Sequence, residues 1–332
     1  MKIIDVKNNQ GIPKYKQIIN SIEKMIGNGQ LKMDQKLPSI NKVCIEFSLS
    51  RDTVLLAYDN LKKRGIIYAI LGKGYYIKST EIKFKERIFL LFDELNSFKE
   101  DLYNSFLEHL GKEVEVDIYF HNFNIKVFEK LINDSNNNYT KYIIMPTNLV
   151  GATTIIKTLP EKNTYILDQT NKDLMTFPGV CQNHLSDIYN CLVKCQSRLI
   201  KYKKIILLFS EFKEPEALKI GFEIFCKDYK FNYEIITSFY NCTILEGDVF
   251  IIPSDRDLVK VIEKGKSQLL TIGKNYGIIS YNETPLKKLV ENGITTISTN
   301  FEAMGERLAK MIRSGEKEQI QNESDIIIRN SL

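Results

Sequence analysis

The stretch LSRDTVLLAYDNLKKRGII, residues 49–67, decides the fold of the N-terminal part of this chain. Ser50 can cap a helix running from Arg51 to Arg64, because a serine hydroxyl accepts a hydrogen bond from a free N–H of the first turn. Asp52 lies in that turn, where a negative charge complements the helix dipole. One face of the helix is apolar and carries Val54, Ala57, Tyr58 and Leu61. The stretch therefore predicts an amphipathic helix packed against a core.

Two further helices are predicted upstream of this stretch. Pro13 suits a first helical turn, and the apolar residues that follow it at helical spacing stop at Gly27 and Gly29. Ser39 can cap a second, shorter helix, which ends near residues 48–50 and whose inward side chains are Val43, Cys44 and Phe47. Two helices joined by so short a turn are the helix-turn-helix pattern.

A β-hairpin is predicted directly downstream of the third helix. Residues 66–70 and 75–78 have the composition of strands, and the turn between them, residues 71–74, is LGKG. A hairpin in this position is a wing. We therefore expect an α+β winged helix-turn-helix domain over residues 1–80, followed by a second domain over residues 81–332.

The positive charge of the chain is concentrated in its first part. Residues 1–80 hold 14 Lys and Arg against 6 Asp and Glu, whereas the rest of the chain holds 32 against 35. Basic charge on a small segment is typical of phosphate binding, although a solvated lysine-rich surface has the same composition. The charge alone therefore leaves both interpretations open.

Four pieces of the chain, in order, resemble the DNA-binding domain of the GntR family. They are LPS at 37–39, LSRDTV at 49–54, LKKRGII at 61–67 and GKGYY at 72–76. The resemblance implies that the third helix enters the major groove of DNA and that the wing tip approaches the minor groove. Asn41 and Leu55 stand where the family commonly has arginine. Some contacts typical of the family are therefore expected to be missing.

The candidate DNA-binding residues lie on the second helix, the third helix and the wing. Arg51 and Thr53 stand at the N-terminal end of the third helix, within reach of base edges or phosphates. Gly74 lacks a side chain, so the wing backbone can approach DNA closely. Ser50 can equally be only a helix cap, and Gly74 only a turn residue. The full set is Ser39, Asn41, Lys42, Ser50, Arg51, Thr53, Lys73 and Gly74.

Residues 81–332 alternate short apolar runs with helical stretches. Helices are predicted over residues 100–110, 185–200 and 216–229. The predicted strands are residues 88–92, 116–120, 142–145, 164–167, 205–209, 233–236, 249–252 and 278–281. Short apolar strands that alternate with helices indicate a parallel sheet covered on both faces. The same alternation of strands and helices begins again after residue 202, which favours two similar lobes with a cleft between them.

The C-terminal part resembles the end of a LacI-type, periplasmic-binding-protein-like effector domain. The resemblance rests on GIISYNETP at 277–285, ITTI at 294–297, FEAMG at 301–305 and IIIRNS at 326–331. It implies that a sugar or similar polar metabolite binds between the lobes, at the C-terminal ends of the strands. A GntR-type N-terminal domain followed by a LacI-type C-terminal domain is similar in layout to the arabinose-responsive repressors.

Matching this resemblance position by position yields six candidate effector-binding residues. They are Phe98, Asp168, Asn183, His184, Asp255 and Asn282. Amides and carboxylates suit a ligand rich in hydroxyl groups, and an aromatic face suits the C–H surface of a sugar. Asp168 and Asp255 can also be turn-making or capping residues, and His184 can be a structural histidine. LacI relatives usually have an aspartate at Asn282 and an arginine near Leu218 and Lys219, so the ligand's identity stays open.

These observations predict a cytoplasmic, homodimeric transcription regulator, more readily a repressor than an activator, with operator DNA and a sugar or sugar phosphate as partners. The chain lacks the GxSxG, Walker A and HExxH motifs and an apolar N-terminal leader. No enzyme activity, cofactor, metal site or membrane partner is expected, and the six cysteines are expected to be reduced thiols. The alternatives are a transport solute-binding protein and a GntR regulator with a pyridoxal-phosphate, aminotransferase-like body.

Overall fold

The computed structural model describes residues 3–7, 13–80, 86–111, 114–135, 138–240 and 242–332. The chain divides into two compact units. The first comprises residues 1–86 with 133–138, and the second comprises residues 87–132 and 139–332.

The first unit is a winged helix-turn-helix, as the sequence predicts. Its elements are α1 (Lys14–Gly27), α2 (Ile40–Phe47), α3 (Arg51–Lys63), β1 (Ile67–Ile70) and β2 (Gly74–Ile77). The two strands pair antiparallel, with Ile67 opposite Ile77. The apolar faces of the helices meet in one core around the buried Tyr58, whose hydroxyl donates a hydrogen bond of 2.7 Å to the Pro38 carbonyl. This bond fixes α3 against the segment that leads into α2.

The second unit is built from two lobes, each with one six-stranded sheet. The elements of the first lobe are β3 (Arg87–Phe92), α4 (Ser97–Leu110), β4 (Glu115–Phe120), α5 (Ile125–Ser135), β5 (Lys141–Ile144), α6 (Ala152–Ile156), β6 (Thr164–Asp168) and β7 (Gly179–Cys181). Those of the second are α7 (His184–Lys194), α8 (Gln196–Leu199), β8 (Lys204–Leu208), α9 (Glu216–Asp228), β9 (Tyr233–Ile236), β10 (Asp248–Ile252), α10 (Asp255–Ser267), β11 (Gly277–Tyr281) and β12 (Thr295–Thr299). The chain then returns to the first lobe with α11 (Phe301–Ser314) and β13 (Gln319–Gln321), and ends in the second with β14 (Ser324–Ile327).

The strand order is β13-β7-β6-β5-β3-β4 in the first lobe and β14-β12-β11-β10-β8-β9 in the second. All pairs are parallel except β12 with β14. The two-lobed α/β architecture predicted from the sequence is therefore confirmed. The predicted helix over residues 185–200 is broken into α7 and α8, because Cys195 has φ −108° and ψ 10°. The strands β7, β12, β13 and β14 were not predicted. Of these, β7 and β13 have three residues each and are too short to show a period.

Two glycines allow the closest helix contacts of the second unit. A Cβ at Gly221 of α9 would lie 2.3 Å from the Leu185 carbonyl oxygen at the start of α7. A Cβ at Gly305 of α11 would lie 2.3 Å from the Leu102 carbonyl oxygen of α4. Only glycine permits these approaches, so both positions set how deeply each helix pair packs over its sheet.

The cysteines are unpaired thiols. Cys181, Cys191, Cys195 and Cys226 are buried, and Cys44 and Cys242 are half-buried. Within the described ranges, no group of three or more histidine, cysteine, aspartate or glutamate side chains could hold a metal ion. None of the helices in the described part of the chain has the length and apolar character that a membrane span requires.

Candidate functional site

The N-terminal end of α3 combines a helix cap with a free cation. The Ser50 hydroxyl oxygen accepts a hydrogen bond of 3.3 Å from the Thr53 N–H, and the two hydroxyl oxygens lie 2.8 Å apart. Arg51 is exposed and makes no hydrogen bond or ion pair with the residues that the structure describes. Ser50 and Thr53 therefore hold the end of the helix, while Arg51 is free to bind a partner.

The other candidates of the first unit lie at the start of α2 and at the wing tip. The Ser39 hydroxyl caps α2 by accepting a hydrogen bond of 3.2 Å from the Lys42 N–H, and the side chains of Asn41 and Lys42 are exposed. Lys73 is exposed between β1 and β2, next to Gly74, whose φ of 113° favours glycine. Within the described chain, neither Lys42 nor Lys73 has a carboxylate partner. Both cations are therefore available to phosphate groups.

A cavity of about 960 Å³ lies between the two lobes of the second unit. Its walls are the loops that follow β5, β6, β7 and β8, together with strand β13. Loops at the C-terminal ends of parallel strands are the usual binding place in open α/β sheets. The polar wall is dominated by carboxamides, namely Asn148, Gln169, Asn171, Gln182, Asn183, Gln319 and Gln321.

Two of the six predicted effector-binding residues line this cavity. Asn183 does so while its side chain caps α7, accepting a hydrogen bond of 3.3 Å from the Ser186 N–H. His184 follows it, and its buried Nε2 atom has no hydrogen-bond partner among the described residues. Burial lowers the pKa of the His184 imidazole, and the nearby Asp168 carboxylate opposes that shift. A neutral imidazole can either donate or accept one hydrogen bond to a ligand.

Asp168 lies behind the cavity wall and positions a residue that forms it. At the end of β6 its φ is 71°, and its carboxylate accepts a hydrogen bond from the Gln182 side chain. Its carbonyl oxygen accepts a second bond, of 2.7 Å, from the Gln182 N–H. Gln182 does not stand out in the sequence, because a glutamine after a short strand carries no recognisable pattern.

The structure places Phe98, Asp255 and Asn282 away from the cavity walls. Phe98 packs its ring against Phe301, with 4.8 Å between ring centroids. The buried Lys287 ammonium lies 2.8 Å from the Asp255 carboxylate and donates a hydrogen bond of 2.8 Å to the Asn282 carbonyl oxygen. Lys287 thus ties the ends of two neighbouring strands together, so Asp255 and Asn282 have partners within their own lobe.

The loop between β8 and α9 joins the second lobe to the first beside the cavity. The Asn148 side chain donates a hydrogen bond of 2.7 Å to the Glu214 carbonyl oxygen. The Lys213 ammonium lies 2.8 Å from the Glu94 carboxylate and 5.1 Å from the centroid of the Phe123 ring. These contacts cross from lobe to lobe and hold the loop beside the cavity.

Comparison with known proteins assigns the two units separately. Residues 14–77 match the model of the family described as bacterial regulatory proteins, gntR family. The chain is 38% identical over 72 residues to the arabinose metabolism transcriptional repressor of Geobacillus stearothermophilus, which covers 22% of this chain and 20% of the relative. It is 31% identical over 99 residues to the HTH-type transcriptional repressor NagR of Bacillus subtilis, which covers 30% of this chain and 38% of the relative. The chain thus spans well under half the length of these curated relatives.

The second unit resembles solved regulators in fold. A LacI family transcriptional regulator from Enterococcus faecium with bound ribose superposes with a TM-score of 0.60 at 16% identity, covering 74% of this chain and 98% of the other. The two units therefore resemble two different groups of known proteins. Residues 14–77 are a gntR-type helix-turn-helix domain, and the body has the fold of LacI-type effector domains.

Proposed function

We propose that the protein is a cytoplasmic, sequence-specific DNA-binding transcription regulator and not an enzyme. In this proposal it represses genes of sugar use, and a sugar or related metabolite in the cavity between the lobes changes its affinity for operator DNA. The observation that carries the proposal is the cavity lined by carboxamides at the strand ends of the second unit. This unit has a LacI-type fold and follows a gntR-type domain in the chain.

The chemistry of the cavity supports a hydroxylated ligand. A carboxamide both donates and accepts hydrogen bonds, as each hydroxyl group of a sugar does. Phe209 and Met175 add apolar surface to the same walls. A few placed polar groups around an apolar surface are typical of small-molecule sites of this volume. The names of the arabinose repressor and of the ribose-bound regulator agree with a sugar ligand.

The proposal is tested by titrating an operator, selected from random-sequence DNA, with and without each sugar of a panel. A sugar that prefers one lobe arrangement should change operator affinity by about 5–150-fold, and the operator should change sugar affinity by the same factor. Gln182→Leu should abolish this response and leave sugar-free operator affinity unchanged, because Gln182 lines the cavity. Asn190→Ala, an exposed position on α7, is the matched control and should respond like the wild type. Loss of sugar-free operator affinity in Gln182→Leu would contradict this role.

We also propose that two copies associate through their second units, presenting two gntR-type domains to an inverted-repeat site. The segment after β11 exposes Leu286 and Leu289 by 72% and 79% of their surface. In this proposal the partner copy covers these two neighbouring leucines.

Sedimentation at micromolar concentration is expected to show a dimer of the wild type. The double change Leu286→Glu and Leu289→Glu should shift it to a monomer, since two carboxylates would be buried at the interface. Leu269→Glu is the control: Leu269 is 92% exposed after the end of α10, and the dimer should persist. A monomeric wild type, free and on DNA, would refute the assembly.

A further inference from the structure

One half-buried carboxyl group in the wall of the cavity has no partner among the described residues. Glu214 lies on the loop between β8 and α9 and lines the cavity, and its side chain is half-buried. Its backbone carbonyl is bonded to Asn148, but its side chain makes no hydrogen bond or ion pair with any residue of the described ranges. A shielded carboxyl group without a partner is costly unless a ligand supplies one.

The lysines near Glu214 are already paired with other carboxylates. The Lys213 ammonium binds Glu94, and the Lys99 ammonium binds Asp93. Lys99 and Lys213 favour the charged form of Glu214, whereas Glu94 and Asp257 oppose it. Burial is the largest effect and raises the pKa of Glu214 to about 7. The surroundings of Glu214 are therefore short of positive charge.

Further oxygen atoms beside Glu214 are also unpartnered. The buried Tyr281 hydroxyl and the Asp187 Oδ2 atom have no hydrogen-bond partner among the described residues, and Asp187 is 6% exposed. Burial raises the pKa of Tyr281, and the nearby charges of Asp187 and Glu214 add to that effect. Asp187 and Glu214 thus place negative charge around one buried hydroxyl group. An ammonium group carries three N–H donors and one positive charge, which would offset this negative charge.

We propose that the effector is an aminated sugar whose protonated amine binds the Glu214 carboxylate, while the carboxamide wall binds its hydroxyl groups. This inference rests on the proposed sugar-responsive function and narrows its ligand. Two lysines line the cavity: Lys219 lies 5.9 Å from the centroid of the Phe209 ring, which faces its charge, and Lys172 is exposed. Of the three carboxyl groups that line the cavity, Glu211 and Glu216 are exposed and Glu214 is half-buried. Glu214 is therefore the carboxyl group best placed to bind a protonated amine, and its carboxylate would repel a phosphate ester.

The experiment compares the amino sugars glucosamine, galactosamine and mannosamine with their parent hexoses, N-acetyl forms and 6-phosphates, by calorimetry on the full chain. At least one amino sugar should bind about tenfold or more tightly than its parent, because a charge-assisted hydrogen bond is added. Glu214→Gln should lose that preference and keep ligand-free operator affinity. Glu216→Gln, an exposed carboxyl position two residues away that also lines the cavity, is the matched control and should keep the preference.

The midpoint temperature of thermal unfolding supplies a second measurement, and it does not need a ligand. Because burial raises the pKa of Glu214 above its unfolded value, its contribution to stability is present at low pH and is lost as the pH rises through about 7. The midpoint of the wild type should therefore fall relative to Glu214→Gln between about pH 5 and pH 8. A bound amino sugar should reverse this trend.

The outcomes separate this inference from the function on which it rests. A response to a neutral hexose or a 6-phosphate with no preference for the amine overturns the amine proposal and leaves a sugar-responsive regulator intact. An amine preference that survives in Glu214→Gln also overturns it. A wild type that binds selected operator DNA but responds to no sugar in the panel counts against both.

Discussion

Replacing Lys99 with methionine is expected to lower the free energy of unfolding of the second unit by about 3–5 kcal/mol. Lys99 and Asp93 are 4% and 3% exposed, and the ammonium binds the carboxylate directly. Removal of the lysine leaves a buried aspartate charge without compensation, which costs far more than the pair itself contributes. Denaturant unfolding, followed by a signal from the second unit, measures the change.

Two further variants test the physical reason. Adding Asp93→Asn to Lys99→Met should recover most of the loss, since no charge then remains unpaired, and the asparagine oxygen can still accept the 2.6 Å hydrogen bond from the Glu94 N–H. Lys260→Met breaks an exposed pair in which the Lys260 side chain is 53% exposed, and should cost below about 1 kcal/mol. Equal losses in the buried and exposed variants would show that burial does not decide the effect.

The second large effect is expected at Arg51. Arg51→Ala should weaken binding to the selected operator by about 1–3 kcal/mol, or roughly 5–150-fold, if the free guanidinium reads a base edge. The helix itself should persist, because its cap is the Ser50 hydroxyl. Gel-shift titrations on the selected operator and on random-sequence DNA measure the change and show whether it depends on sequence.

Lys73→Ala is the comparison for Arg51→Ala. Lys73 is exposed at the wing tip, where we expect it to contact phosphates, so its removal should weaken binding to all sequences alike. The slope of log affinity against log salt should fall by about one or less. If the affinity of Arg51→Ala falls by the same factor on selected and on random-sequence DNA, Arg51 does not read a base and binds phosphate instead.

Local features of the chain could be predicted because their causes are local. The caps by Ser39 and Ser50 depend on a hydroxyl three residues before a free N–H, and both bonds are present. The hairpin from residue 67 to residue 77 follows from its turn residues. The buried parallel strands are continuous apolar runs, which a single sequence displays directly.

The residues that face the cavity could be predicted only in part. The rule that ligands bind at the C-terminal ends of parallel strands pointed to Asn183 and His184, and both line the cavity. It also pointed to Asp255 and Asn282, where Lys287 satisfies the polar groups within one lobe. The rule gives every strand end equal weight, whereas the cavity forms only where the ends of two separate sheets meet.

The sequence by itself determined the gntR-type domain, its caps and its wing, and the alternation of strands and helices in two lobes, since hydrogen bonds and periodicity within a few residues specify them. Only the tertiary structure decided the walls of the cavity. Gln319 and Gln321 reach it because the chain crosses back into the first lobe and adds β13 to a sheet begun far earlier in the chain. Glu214 faces it because Asn148 and Glu94 hold its loop from the other lobe. Such contacts join distant parts of the chain, and their geometry follows from how the two lobes pack.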